Sequence, residues 1–330
     1  GNGAVCLRIE CQLHPEEILE LATEEIDRNS RLGDLETDPG VVVVSGAVPK
    51  DVVRFSEEAL VRIMILDEAF SVIRRVGADA FGYGSAQGVI GALAAIGNTL
   101  DRDYTFELIA YRSRNHVGKL RLIDKNSILH MSQEMRDITF NNIDPETGRV
   151  LITPRGPDPI LCGVRGESPQ AVRKAFQMLQ IREPISAWMI FRTNQGTDEH
   201  LMRKSSLADL RDNCAVVAEG TVKEKPHAIC GGHVIFPLQD ETGSVDCAAY
   251  EPTGNFRKII RQLEPGDELC VFGGVRPATG TIPRTVNLEK LQVLKLTGHK
   301  KSQNPICSAC GRRMKSAGRG QGYRCKRCRT

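Results

Sequence analysis

The stretch ICSACGRRMKSAGRGQGYRCKRC, from Ile306 to Cys328, contains two Cys-x-x-Cys pairs separated by fourteen residues. Each pair can supply two thiolates from one tight turn, and four thiolates satisfy the tetrahedral coordination that zinc prefers. Glycines at 318, 320 and 322 suit a tight hairpin between the pairs. Because four thiolates leave no open coordination position, we predict a structural zinc site formed by Cys307, Cys310, Cys325 and Cys328.

The segment around these cysteines is strongly basic. From His299 to Thr330 there are ten Lys and Arg residues and no Asp or Glu, so the rest of the chain carries −7 of a net charge of +3. Such asymmetry indicates a polyanionic partner, although a basic tail can also serve solubility alone. The candidates for contact with such a partner are Arg312, Arg313, Lys326 and Arg327.

The composition predicts a globular chain of two to four domains, since 41% of its 330 residues are hydrophobic and 26% are charged. The longest mainly apolar run, Val89 to Ile96, is far shorter than the roughly 20 residues that span a bilayer. Most of the remaining cysteines lie in strand-like apolar runs, which favours a reducing cytoplasm. The chain opens GNGAV without a methionine, so we expect it to be an internal fragment.

The first hundred residues predict a small α+β unit followed by helices. Alternating apolar residues from Val5 to Cys11 predict a strand, Pro15 opens an amphipathic helix, and a turn at Asp38 leads into a valine strand. A second helix is predicted to start at Ser56 and to end at Gly77.

A glycine-rich turn, FGYGSAQGVIGALAAIG, opens an unusually apolar helix at residues 81–97. The glycines can simply let a buried helix pack closely. Alternatively, the turn exposes backbone N–H groups at a helix N-terminus, where they can hold phosphate. The spacing matches neither a Walker loop nor the dinucleotide fingerprint, so the pattern leaves both interpretations open.

The middle of the chain repeats the alternation of strands and helices. YTFELIAYR predicts a strand ending at Arg112, and PILCGVRGESPQAVRKAF predicts a strand, a turn and a helix. Arg165, beside the N-terminus of that helix, suits an anion. Ser168 caps the helix, and this alone could account for it. Asp124 and Asp144 are candidate magnesium ligands, although lone aspartates are more often solvated.

From about residue 213 the pattern becomes mainly β. Five strand-like pieces occur, with the helix NFRKIIRQL between the third and fourth, which is the order of an OB barrel that reads single-stranded nucleic acid. Four aromatic side chains could stack on bases or belong to the core, namely Phe236, Tyr250, Phe256 and Phe272.

These segments together resemble the archaeal tRNA-isoleucine 2-agmatinylcytidine synthetases, and the resemblance extends over essentially all of the chain. It rests on AQGVIGALAAIG (86–97), FELIAYR (106–112), GVRGES (163–168), TNQGTDEHL (193–201), CAAYEPTGNFRKIIRQL (247–263), VNLEK (286–290) and NPICSACGRRMKSAGRGQGYRCKRCRT (304–330). The resemblance implies a multidomain α+β fold in four parts. These are a partial ferredoxin-like unit (1–49), a kinase-like α/β ATP-binding domain (50–210), an OB-fold β-barrel (211–298) and a zinc ribbon (299–330).

The resemblance also implies a reaction. In this family ATP activates the C2 carbonyl of the wobble cytidine in a CAU anticodon, and agmatine then replaces the activated oxygen, so that the isoleucine tRNA decodes AUA. We therefore expect a cytoplasmic ATP-dependent ligase that uses Mg²⁺ and Zn²⁺, binds tRNA and agmatine, and has no membrane partner. The alternative is a non-catalytic tRNA- or DNA-binding adaptor, which would have no use for residues 50–210 unless they bind ATP.

Site residues follow from the residue patterns above and from the resemblance together. The catalytic candidates are Asp124, Asp144 and Arg165, and the nucleotide-binding candidates are Gly84, Ser85, Gly88, Gly91, Arg112, Glu167 and Ser168. Gln87 stands where the family carries arginine, and Asn141 replaces an aspartate. The family's acidic N-terminal Asp-Asp-Thr-Asp-Ser strand and its C-terminal tail do not occur in these residues, so the chain by itself is expected to be inactive.

Overall fold

The computed structural model describes residues 3–30, 32, 37–201, 204–280, 282–298, 304–318 and 321–329. Two compact units are formed, one by Gly1–Ser205 with Arg211–Val217 and the other by Ser206–Leu210 with Ala218–Thr330. Within the described residues, no helix is both long enough and apolar enough to cross a membrane. The fold is mixed α+β, as predicted, and includes a β-barrel and a four-cysteine ribbon.

The first part of unit 1 contains four helices and a two-stranded sheet. Its elements are α1 (Pro15–Asn29), β1 (Gly40–Val43), α2 (Lys50–Val61), α3 (Leu66–Val76), β2 (Asp79–Gly82) and α4 (Gly88–Gly97). β1 pairs antiparallel with β2, so the boundary expected between residues 49 and 50 falls inside one packed structure. The helices bury a common core of Val52, Phe55, Met64, Ala69, Val72, Ile73, Val89 and Leu93.

Local signals explain most of the helix ends. α3 ends at Gly77, whose φ of 66° is the left-handed conformation that glycine adopts without strain. The single helix expected from Ser56 to Gly77 is wrong, because α2 begins after Pro49, continues through Ser56 and ends at Val61, and α3 is a separate helix. The Ser56 side chain is buried and donates to the Ala94 carbonyl at 2.7 Å, so it joins two helices instead of capping one.

The strand expected from Val5 to Cys11 is also not observed. These residues have no strand conformation, and the side chains of Val5, Leu7 and Ile9 are 62%, 71% and 60% exposed. An alternating pattern becomes a strand only where a neighbouring strand accepts and donates its hydrogen bonds. In the described part of the chain this segment pairs with no strand.

The second part of unit 1 is a β-α-β-β-α-β structure. Its elements are β3 (Thr105–Arg112), α5 (Lys125–Glu134), β4 (Thr139–Phe140), β5 (Ile160–Gly166), α6 (Pro169–Gln177) and β6 (Ile185–Thr193). The sheet order is β4-β5-β3-β6 with antiparallel neighbours, and both helices contribute to one core with the sheet. This is the ferredoxin-like arrangement, which the structure therefore places at residues 105–193 rather than in the first 49.

Unit 2 contains the predicted barrel, except for the first three residues of its first strand, which belong to unit 1. Its elements are β7 (Ala215–Val222), β8 (His227–Ala228), β9 (Val234–Gln239), β10 (Ser244–Ala249), α7 (Asn255–Ile260), β11 (Glu268–Arg276) and β12 (Thr285–Lys295). The order is β10-β12-β11-β7-β9-β8, and an additional pairing of β10 with β9 closes the sheet. The five long strands and the helix after the third confirm the OB-fold. Phe236 is fully buried and belongs to the barrel core, whereas the other three aromatic candidates are partly exposed.

The ribbon follows the barrel in the chain. β13 (Lys315–Ser316) and β14 (Tyr323–Arg324) form a short antiparallel hairpin between the two Cys-x-x-Cys turns. Gly311 and Gly322 have φ values of 69° and 75°, which suit glycine in tight turns. Gly320 lies outside the described residues.

Candidate functional site

The glycine-rich turn before α4 is held against residues 38–40 by close backbone contacts. The Gly88 N–H donates to the Asp38 carbonyl at 3.0 Å. A Cβ atom at Gly88 would overlap both the Asp38 carbonyl oxygen and the Gly40 nitrogen. The packing interpretation of this glycine is therefore confirmed, because no side chain fits between the two backbones.

The Asp38 carboxylate lies beside the same turn. Its Oδ2 accepts a hydrogen bond from the Ser85 hydroxyl, and a Cβ atom at Gly84 would overlap its Oδ1. Gly84 also has a φ of 54°, so the backbone conformation favours glycine, whereas the Asp38 carboxylate can rotate away from an added Cβ. The structure thus brings Gly84, Ser85 and Gly88 together at the start of α4, around a carboxylate that the sequence indicates only as part of a turn.

Gly91 differs from Gly88 although both belong to α4. A Cβ atom at Gly91 would meet only the Ala4 Cβ, at 3.5 Å, which is an ordinary contact. Gln87, at the N-cap position, makes no side-chain capping hydrogen bond. The N-terminus of α4 is therefore shaped by Gly84, Gly88 and Asp38 rather than by a capping side chain.

Asp124 and Ser168 are helix caps in the ferredoxin-like part. The Asp124 carboxylate accepts from the Ser127 N–H at 3.0 Å at the start of α5, and Ser168 Oγ accepts from the Ala171 N–H at 3.1 Å at the start of α6. Arg182 lies 3.6 Å from the second oxygen of Asp124. The cap interpretation of Ser168 is confirmed, and one oxygen of Asp124 is engaged in the same way.

Asp144 stabilises a turn of its own. Its Oδ1 accepts from the N–H groups of Glu146 and Thr147 at 3.0 and 3.3 Å. Hydrogen bonding by Thr147 and then by Glu146 holds the pKa of Asp144 below its usual range. The Asp144 side chain is thus ionised at neutral pH, and it stabilises the loop by accepting these hydrogen bonds.

Arg165 and Glu167 lie at the end of β5. Arg165 Nε donates to Glu107 Oε1 at 3.0 Å across the β3–β5 pair, and the Glu107 side chain is 10% exposed. The Glu167 N–H donates to the Ile138 carbonyl at 3.1 Å. The positive charge of Arg165 is therefore neutralised by a neighbour 58 residues away in the sequence.

The Arg112 side chain is fully buried. Its guanidinium forms a fully buried pair with Glu183, with Nε–Oε1 and Nη2–Oε2 distances of 2.6 and 2.9 Å. Its remaining N–H groups donate to the carbonyls of Lys119 and Leu120. Burial alone would raise the pKa of Glu183, but hydrogen bonding from Arg112 lowers it.

The four cysteines of the ribbon converge on one point. The Sγ atoms of Cys307, Cys310, Cys325 and Cys328 all lie within 4.8 Å of one another. The N–H groups of Ala309 and Cys310 lower the pKa of Cys307 to about 6. The N–H groups of the second turn also lower the pKa of Cys325. These donors favour thiolates at Cys307 and Cys325, whereas hydrogen bonding with Cys310 raises the pKa of Cys328 to about 12. A cluster of four cysteine sulfurs fits a tetrahedral zinc ion.

The ribbon cations lie outside this cluster. Arg312, Arg313, Lys326 and Arg327 are all exposed. Arg313 donates to the Asn304 carbonyl at 3.3 Å, which fixes one of them against the first turn. The ribbon therefore presents positive charge on a scaffold held by its four thiols.

Comparison with known proteins relates these features to one family. Family models match at residues 86–200 (TiaS FLD domain), 216–294 (OB-fold nucleic acid binding domain) and 304–330 (TiaS C-terminal zinc ribbon domain). The tRNA-isoleucine 2-agmatinylcytidine synthetase TiaS of Methanosarcina mazei is 39% identical over 338 residues, covering 100% of this chain and 77% of the relative. The chain belongs to the TiaS family.

Solved TiaS structures share its fold. The complex of TiaS with its isoleucine tRNA and ATP superposes with a TM-score of 0.78 at 38% identity, over 96% of this chain and 73% of that one. The complex of TiaS with the same tRNA, AMPCPP and agmatine gives 0.77 at 36% identity, over 94% and 73%. The chain spans about three quarters of the length of its TiaS relatives.

Three acidic residues around these TiaS segments were missed by sequence reasoning. Asp38, Glu107 and Glu183 contact Ser85, Arg165 and Arg112, from which they are separated by 47, 58 and 71 residues. No local pattern indicates such pairings. The one usable signal was the acidic residue that precedes Pro39 and Gly40, because a turn before a strand can place a carboxylate at the sheet edge.

Proposed function

We propose that this protein is an ATP-dependent ligase that joins agmatine to C2 of the wobble cytidine in a CAU-anticodon isoleucine tRNA. The observation that carries the proposal is the 39% identity to a TiaS enzyme over the whole chain. Two features agree with it: an OB barrel followed by a four-thiol ribbon, and a glycine turn at a helix N-terminus.

The chemistry requires that an oxygen be made into a leaving group. The C2 carbonyl oxygen of the cytidine attacks a phosphorus of ATP, and ADP leaves if the γ-phosphorus is attacked or pyrophosphate if the α-phosphorus is. The primary amine of agmatine then attacks C2 and loses a proton, and the C2–O bond breaks as the oxygen leaves as phosphate or AMP. The chain must therefore hold the ATP phosphates, exclude water from the activated base and place two substrates in contact.

The turn before α4 is the best-supported phosphate site. The dipole of α4 favours negative charge at this end, and Gly84 and Gly88 keep side chains away from the turn, while the N–H groups of Gly88, Val89 and Ile90 donate to carbonyls of the chain. The Asp38 carboxylate and the Ser85 hydroxyl are oxygen donors of the kind that Mg²⁺ takes together with phosphate oxygens. We propose Asp38 and Ser85 as residues that contact the magnesium ion bound to ATP. The catalytic roles of Asp124, Asp144 and Arg165, and the nucleotide contacts of Arg112 and Glu167, stay predictions.

The second unit is the proposed RNA-binding part. We assign the barrel to residues 211–298 and the ribbon to residues 299–330, with zinc in the four-thiol cluster supplying the rigidity of the ribbon. The positive charge of the ribbon then meets tRNA phosphates, and the barrel reads unpaired bases. Because tRNA is the proposed substrate and no disulfide joins the described cysteines, we propose the cytoplasm as the location.

Anticodon selection tests this proposal without requiring turnover. The purified chain is titrated into fluorescent isoleucine tRNA transcripts with a CAU anticodon and, as a matched control, with UAU, in the presence of AMPCPP and agmatine. We expect tighter binding of the CAU transcript, and the preference should weaken when either small molecule is left out. Equal affinity for both anticodons under all conditions would overturn the assigned substrate and favour a non-catalytic adaptor.

A further inference from the structure

The ferredoxin-like part of unit 1 contains a cavity of about 560 Å³. It lies between the segment that precedes α5 and the loop at residues 153–157. Four basic residues line it, Lys119, Arg121, Lys125 and Arg155, and no Asp or Glu is found among the described lining residues. The cavity is thus a basic pocket.

One wall of the basic pocket is fixed by a buried ion pair. The guanidinium of Arg112 donates to the carbonyls of Lys119 and Leu120 at 2.8 and 3.0 Å. Glu183, which pairs with Arg112, also accepts from the Leu122 N–H at 2.9 Å. Arg112 at the end of β3 and Glu183 just before β6 therefore hold the backbone around Lys119 in place. The Lys119 side chain projects from this fixed backbone.

Arg121 fixes the opposite wall. Its guanidinium donates to the carbonyls of Pro154, Gly156 and Ile160 at 2.8 to 3.2 Å, and it lies 3.1 Å from Asp158 Oδ1. The loop that carries Arg155 is thereby fastened to the segment that carries Lys119. Arg121 therefore has a structural role, and Asp158 partly neutralises its charge.

The other three cations remain available. Lys119, Lys125 and Arg155 are exposed at the rim and form no ion pair within the described residues. Lys125 is also the first residue of α5, so the positive end of the helix dipole adds to its charge. Beside them the Leu120 side chain is 84% exposed, so it can contact a ligand that lies against the three cations.

We propose that the basic pocket is a second tRNA-contacting site, which takes backbone phosphates of the RNA while Leu120 contacts an adjoining ribose or base. This inference rests on the proposed function, since it names a further contact with the same substrate. The absence of lining carboxylates, within the described residues, argues against magnesium-bound ATP, which needs oxygen ligands for its metal. The same absence argues against agmatine, whose amine and guanidinium are cationic.

The experiment removes the three free cations. The variant Lys119→Gln, Lys125→Gln, Arg155→Gln is titrated against the tRNA transcript by fluorescence anisotropy at several salt concentrations. If three phosphates are contacted, the slope of log affinity against log salt should fall by roughly two to three, because each contact contributes about 0.7 to 0.9. The single variant Arg155→Gln should give about a third of that change.

A matched control deletes the same charge from other exposed cations of unit 1. It replaces Arg74, Arg136 and Lys174 by glutamine. The control should keep the parent slope, and all variants should keep the parent affinity for magnesium-ATP. The variant Leu120→Ser should weaken binding without changing the slope, because it removes no charge.

The outcomes separate the two proposals. An unchanged slope in the triple and single pocket variants, with the parent chain binding tRNA normally, would overturn only the basic pocket as an RNA site. Loss of ATP affinity with unchanged tRNA binding would identify a nucleotide pocket and also overturn it. If the parent chain fails to bind tRNA at all, the proposed function itself fails and this inference fails with it.

Discussion

At the scale of single residues, α4 offers two glycines in opposite environments. The position of Gly88 has no room for a Cβ, whereas Gly91 has an ordinary contact distance. We expect Gly88→Ala to lower the unfolding free energy by about 1–3 kcal/mol, because the backbone of Asp38 must move. Gly91→Ala should be neutral or stabilise by about 0.5–1 kcal/mol, because alanine favours the helix.

Thermal and denaturant unfolding of the two variants measure this difference. Gly91→Ala is the control, because it makes the same glycine-to-alanine change in the same helix without the close backbone contact. Similar losses for both variants would contradict the close approach of residues 38–40 to the start of α4. Gly88 variants are therefore poor probes of ATP binding, and Ser85→Ala is the better one because it removes only a hydroxyl.

Sequence reasoning succeeded at residues whose role is local. Gly77 and Ser168 were predicted as a helix end and a helix cap from their immediate neighbours, and the structure places them so. It failed where a side chain chooses a distant partner, as Arg112 does with Glu183. A charged residue in a strand looks exposed in sequence, and only the folded structure shows that it is buried and paired.

At the scale of elements, the buried pair of Arg112 and Glu183 holds the end of β3 to the segment before β6. Glu183→Gln leaves the Arg112 charge buried without its counter-ion, so we expect a loss of roughly 3–5 kcal/mol in unfolding free energy. The exposed pair of Glu24 and Arg28 provides the control. Glu24→Gln should change stability by less than about 1 kcal/mol.

The same pair predicts a pH dependence. The pKa of Glu183 is lowered in the folded protein, so its contribution is present above its unfolded pKa and is lost as the pH falls through the folded value. The stability difference between the parent and Glu183→Gln should therefore be constant near pH 7 and shrink in the acidic range below the usual glutamate pKa. A difference that grows on acidification would contradict the assigned sign.

The ribbon predicts a metal dependence. Its small hairpin buries little apart from cysteine sulfur, so zinc must supply most of its folding energy. We expect one zinc per chain by metal analysis and its loss in the double variant Cys307→Ser, Cys310→Ser. The double variant Cys6→Ser, Cys11→Ser is the matched control, since both of those thiols are exposed and lie outside the cluster. Full zinc retention in the ribbon variant would refute the site.

Whole elements were predictable where pattern and partner lie close in sequence. The barrel strands and their intervening helix were recognised because each strand alternates and most pair with a neighbour along the chain. The ferredoxin-like part was misplaced because its sheet order depends on which distant strands pair, which alternation does not encode. The segment at Val5 shows the converse, an alternating pattern that pairs with no described strand.

At the scale of the whole molecule, a net charge of +3 conceals the cationic ribbon. Replacing the exposed Arg312, Arg313, Lys326 and Arg327 by glutamine keeps the zinc ligands and removes four charges. We expect weaker tRNA binding and a shallower salt dependence, with unchanged zinc content and unchanged ATP affinity. Anisotropy titrations at several salt concentrations measure both. An unchanged slope would mean that the ribbon does not touch RNA.

The central claim is that an RNA-binding unit is joined to an ATP-using one. The most direct test is a calorimetric titration of the purified chain with magnesium-ATP, repeated with Ser85→Ala and with the four-charge ribbon variant. The account predicts saturable binding at one site per chain, weakened by Ser85→Ala and unaffected by the ribbon variant. A chain that binds tRNA but shows no binding of magnesium-ATP would contradict it and leave an RNA-binding adaptor.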